Sequence, residues 1–103
     1  MSIAEPGNLK EEPNDSDNDV NRVVGAIPKN VLEYLAKSIV DNPDAVVIET
    51  DESRNGVTLR LNVAQEDMGK IIGKRGRVAT AVRAVVRAAG AREGIDARVD
   101  IVD

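Results

Sequence analysis

Cysteine and histidine are absent from all 103 residues, and so are tryptophan and phenylalanine. The first two absences exclude disulfides, thiolate nucleophiles, imidazole bases and nearly every transition-metal site built on sulfur or nitrogen. Tyr34 is the single aromatic residue, so the core must be built from Val, Ile, Leu and Ala, and a surface of stacked rings is ruled out. Long apolar runs are lacking as well. No stretch approaches the roughly 20 residues needed to cross a bilayer, and the acidic N-terminus has no apolar leader core, so a cytoplasmic protein is expected.

What is present is a globular balance, 42% hydrophobic and 31% charged, in a chain with room for one domain. The net charge is -4 and the pI about 4.8, but the charge is unevenly spread. Met1 to Asn21 holds six acids (Glu5, Glu11, Glu12, Asp15, Asp17, Asp19) against Lys10 alone. Lys70 to Arg92 holds seven bases and no acid. The acidic pI therefore conceals a strongly basic surface.

Residues 1–26 are polar, acidic and aperiodic, a composition that cannot offset ordering entropy, and are expected to form a disordered acidic tail. Residues 27–103 are expected to fold. Val31, Leu32, Leu35, Ala36, Ile39 and Val40 mark one face of a first helix, with Asn30 and Glu33 as its capping box and an end near Asp41, before Pro43. Ala45 to Thr50 reads as a strand. Val57, Leu59, Leu61 and Val63 alternate with polar residues as a second, paired antiparallel through a turn at Asn55-Gly56. Gln65 to Ile72 suits a short helix with Met68, Ile71 and Ile72 inward. A longer helix follows Gly76, with Val78, Val82, Val85, Val86 and Ala89 on one stripe and Gly90 as its stop. Ile95 to Ile101 alternates as a third strand. The expected class is α+β, in the order αββααβ, with a three-stranded sheet packed against three helices.

Between the two later helices lies Gly73-Lys74-Arg75-Gly76. Glycines without Cβ atoms let a sugar-phosphate backbone approach the main chain, and the amides opening the next helix suit phosphate. Lys74 and Arg75 add charge at the tip, Arg77 sits on the following turn, and Lys70 lies one turn back. These contacts carry no base information. Glu66 and Asp67 read as helix-dipole partners in the first turn of the short helix, not as a catalytic or metal pair. Gly69 to Lys74 fails as a nucleotide-binding P-loop, being one residue short and followed by Arg75 instead of Ser or Thr. No catalytic residue, cofactor or metal is expected.

Ile71-Ile72-Gly73-Lys74-Arg75-Gly76-Arg77 resembles the I-G-x-x-G signature of KH domains, and the element order resembles their type II arrangement. The likeness spans residues 29 to 103, and the helix end Val40-Asp41-Asn42-Pro43 resembles more narrowly the small bacterial single-KH proteins of the KhpA family. That resemblance implies binding of single-stranded RNA with low sequence specificity, in post-transcriptional regulation or RNA chaperoning. The implied partners are a second copy or a larger Jag/KhpB-type RNA-binding protein. Gly73, Lys74, Arg75 and Gly76 would clamp about four nucleotides of backbone. Ile72, core or groove, would flank the bases with the apolar side of the second strand, through one or more of Leu59, Leu61 and Val63. The competing reading is a protein-protein adaptor on a KH fold.

Overall fold

The computed structural model describes residues 25–102; the proposed tail lies, up to Val24, outside the described residues. Helix α1 (Ala26–Ile39) is followed by strands β1 (Val47–Glu52) and β2 (Gly56–Asn62). Helices α2 (Met68–Ile72) and α3 (Arg77–Arg92) and strand β3 (Asp96–Ile101) complete the chain. The class and order are those read from the sequence. The sheet runs β1-β2-β3, with β2 antiparallel to β1 and parallel to β3. Its inner face, Val57, Leu59 and Leu61 with Ala97 and Val99, is buried with Leu32 and Ala36 of α1, Ile71 of α2, and Val82 and Val86 of α3. Each Val, Leu or Ile among them contributes about 1.5–3 kcal/mol relative to exposure. With no large ring to accommodate, the layers sit close: a Cβ on Gly90 would stand 2.7 Å from the Ala97 Cβ.

Several boundaries move for identifiable reasons. Helix α1 starts at Ala26, four residues before the expected cap, so Asn30 lies inside it and caps nothing. Gly25 is buried and is the N-cap, in a left-handed conformation at φ +82°, and Pro28 falls in the first turn, where its missing N–H costs no bond. The folded unit thus includes Gly25 and Ala26 and begins two residues earlier than the composition suggests. Strand β1 starts two residues late because Pro43–Ala45 first forms a 3-10 turn. The hairpin is antiparallel as expected, but Asn55-Gly56 is not a positive-φ turn: neither residue has positive φ. Gly56 already pairs in β2, where any Cβ would run into the Asp96 carbonyl of β3. Gly90 does not stop α3. The helix continues to Arg92 and ends at Gly94 (φ +75°), whose N–H bonds to Ala91 O while that of Ile95 bonds to Gly90 O, a Schellman closure. Val85, expected inward, is 48% exposed.

Candidate nucleic-acid interface

Helix α2 is a five-residue element held by an anchor the sequence conceals. Asp67, 1% exposed, accepts the amides of Asp41 (3.2 Å) and Asn42 (3.0 Å), joining the end of α1 to the start of α2. It stands at the start of α2, as a dipole partner would, and is a tertiary clasp as well. No periodicity could have found it, because its partners lie 25 and 26 residues earlier. One turn on, the Lys70 ammonium hydrogen-bonds the Asp41 carboxylate, which raises its pKa above the ordinary lysine value and keeps it charged. Of the seven expected site residues, Lys70 is therefore already engaged by a carboxylate of the chain itself.

The other six form one continuous surface. Ile72 ends α2 and is 39% exposed, so it faces outward, not into the core. Gly73 turns the chain at φ +76°, ψ 175°, and a Cβ there would collide with the Val78 side chain. Arg75 (φ 58°) and Gly76 (φ 72°) follow in the left-handed region, closed by a 3.1 Å bond from Gly76 N–H to Gly73 O. Arg75 is the only described non-glycine residue with positive φ, a conformation costing about 1–2 kcal/mol. The turn lifts Lys74 and Arg75 into solvent. Among the described residues neither they nor Arg77 has an ion-pair partner. Helix α3 opens at Gly76 without a side-chain cap, so its first amides are not taken up by a capping side chain.

Replacing Gly73 by Ala therefore disturbs the turn twice, through the collision and the positive φ, whereas Gly76→Ala meets only the φ cost because nothing lies within 4 Å of its Cβ. The thermal melt of Gly73→Ala is expected to fall further than that of Gly76→Ala; equal melts would show that Val78 yields freely.

The apolar side of β2 does not border an open groove: Leu59 and Leu61 are both fully buried beneath the helices. Only Val63 reaches an open hollow, of about 690 Å³, with Asn62, Gln65, Met68 and Val102. Strand β3 is an edge of the sheet, as β1 is on the other side. Asp96 N–H and Val102 N–H bond to Asn55 O and Leu61 O of the β2 side, so by the alternation of a parallel ladder the main-chain groups of Ala97, Val99 and Ile101 point outward. Arg83 Nε donates to Val99 O at 3.3 Å. Arg83, Arg87, Asp96, Ala97, Arg98 and Val99 line a cleft of about 410 Å³. The sequence hinted at Arg83 and Arg87 only as part of the acid-free run, and at Arg98 not at all. No described cluster of His, Cys, Asp or Glu could hold a metal, and no described helix is long and apolar enough to cross a membrane.

Residues 29–101 match the family described as KhpA/KhpB, KH domain. The chain belongs to that family. Curated relatives named RNA-binding protein KhpA agree over nearly their whole length. That of Clostridium acetobutylicum is 46% identical over 74 residues, 72% of this chain and 99% of its own. The Streptomyces coelicolor protein is 48% identical over 75 residues, 73% of this chain and 91% of its own. Among solved structures, an Aquifex aeolicus Era variant bound to GDP·AlF4⁻ superposes with a TM-score of 0.56 at 14% identity, over 72% of this chain and 29% of that one, a likeness of fold alone. The Gly73–Gly76 turn lies within the matched residues.

Proposed function

We propose that the chain is a non-enzymatic RNA-binding protein of the cytoplasm that holds single-stranded RNA with low sequence specificity at Gly73-Lys74-Arg75-Gly76. The observation that carries this reading is the loop itself: two bases without carboxylate partners among the described residues, on a left-handed turn that leads into an uncapped helix start. Phosphate is what such a turn attracts, and phosphate contacts do not distinguish sequence. The names of the relatives point to the same ligand. Post-transcriptional regulation or RNA chaperoning is the role that broad, salt-sensitive binding suits. The test is an NMR titration of labelled protein with a pool of short single-stranded RNAs. Amide shifts are expected to concentrate at Ile72 to Val78; a silent loop would favour the adaptor reading.

Pairing is part of the same proposal, since one module holds few nucleotides and a second raises affinity by avidity. Its support is an apolar face on α1 and α3, where Ile27, Tyr34 and Val85 are 50%, 72% and 48% exposed. Beside them a hollow of about 480 Å³ is lined by Ile27, Val31, Ala88 and Ala89, with Arg92 and Glu93 at its rim. The occupant proposed is a second copy, because adjacent rim charges of opposite sign complement themselves across a two-fold axis. Light scattering should give a dimer that Tyr34→Glu with Val85→Glu converts to a monomer. A monomeric parent chain would leave the face to a Jag/KhpB-type partner.

A further inference from the structure

The arginine cleft between α3 and β3 lies apart from the loop tip. Gly76, Thr80, Arg83 and Arg87 are spaced by four, three and four residues, so they share one stripe of α3. Along it Arg83 stands about 10 Å, and Arg87 about 16 Å, beyond Gly76. Arg83 is fixed by its bond to Val99 O, which leaves its two terminal nitrogens to the cleft. Arg98 is the third base there, and Asp96, which it bonds at 3.0 Å, is the only acid. Three guanidinium groups against one carboxylate make a site for an anionic segment.

Such a segment is present in the chain. Residues 1–24 carry six acids against Lys10 and Arg22. They join the fold at Gly25, where an added Cβ would stand 3.0 Å from the Val57 side chain, and Val57 pairs with Ala97, a lining residue of the cleft. The start of α1 also meets the last turns of α3, where Ile27 and Arg92 line one hollow. The segment therefore enters the domain one strand from the arginines, and its first acid inward, Asp19, is six residues from Gly25, up to about 20 Å of chain. Tethering at that range gives carboxylates a local concentration on the order of millimolar, enough to populate contacts that would be negligible between separate molecules.

We infer that the acidic N-terminal segment docks in the cleft of Arg83, Arg87 and Arg98 and competes there with RNA, so that the chain restrains its own binding. This rests on the RNA reading for its consequence but not for the docking. The contact is electrostatic, loosens as salt rises, and gives way when phosphates occupy the basic surface.

The experiment uses the full chain and a full-length variant with Glu5→Gln, Glu11→Gln, Glu12→Gln, Asp15→Asn, Asp17→Asn and Asp19→Asn. Without RNA and at low salt, neutralisation is expected to shift the amides of Ala97, Arg98 and Val99 and the side-chain Nε resonances of Arg83 and Arg87, and to leave Leu59 and Leu61 in place. With RNA, the variant is expected to bind several-fold more tightly at low salt, the difference closing by about 0.5 M salt. Unchanged cleft resonances would overturn the docking whatever the RNA result. Shifted resonances with unaltered RNA affinity would overturn the competition. Failure of the parent chain to bind RNA at all would instead remove the functional reading and leave the docking to be decided by the RNA-free spectra.

Discussion

Replacing Lys74 and Arg75 together by Asp is expected to reduce RNA affinity at least a hundredfold while leaving the thermal melt within about 0.5 kcal/mol of the parent in stability terms. Both side chains are exposed, and among the described residues neither takes part in an ion pair, so removing them breaks no contact of the fold. The backbone accepts the change too. Arg75 sits at φ 58°, ψ 26°, and Asp tolerates that left-handed region better than Arg. What changes is the field: two positive tips become two carboxylates facing phosphate at contact range, where attraction turns to repulsion. The logarithm of affinity against the logarithm of salt should also flatten, since fewer counterions are released. Measured by fluorescence anisotropy on a single-stranded oligonucleotide beside a thermal melt, an unaltered affinity in a folded double variant would reject the loop as the RNA site.

The second large effect is expected at Asp67. Substitution by Ala removes the acceptor for two amides, those of Asp41 and Asn42, and leaves a space where a fully buried side chain stood. Hydrogen bonds to a charged group and unpaired amides together imply a loss of about 2–3 kcal/mol, or roughly 10–20 °C in the melt of a domain this size. Asp67→Asn should fall between, because one of its two positions becomes an N–H facing another donor. The damage should reach beyond stability. Helix α2 has five residues, too short to hold itself, and it carries Ile72 and Gly73 at its far end. Hydrogen exchange in the Ala variant should therefore quicken at Lys70 to Gly73 more than in β2. A melt within 0.5 kcal/mol of the parent would show that water replaces the carboxylate without loss.

Much of this protein is determined by local sequence. The αββααβ order follows from periodicities of 3.6 and 2 that each segment carries by itself, and the loop between α2 and α3 follows from two glycines and a basic pair in four consecutive residues. Glycine roles were legible only in part, since a glycine can answer a backbone angle or a neighbour, and only the first is local. Gly73 meets both demands, whereas Gly56 and Gly90 are explained by the approach of Asp96 and Ala97 from β3. The same limit explains Val85. Helical spacing places it beside a core stripe, but the width of that stripe depends on what packs against it, and nothing in the described fold covers Val85.

The tertiary structure alone decided what surrounds the loop. Lys70 is paired with Asp41, 29 residues earlier, and Asp67 is buried where it takes up the amides at the end of α1. Strand β2 lies between β1 and β3 at the centre of the sheet, so Leu59 and Leu61 are buried instead of flanking a groove, while β3 forms the edge beside α3. Local sequence sets which residues form an element and where a turn must fall, because those energies act between near neighbours. Which strand lies at the centre of the sheet, which carboxylate is buried and which arginine is held against an edge carbonyl depend on contacts between distant residues, and those exist only once the chain has packed.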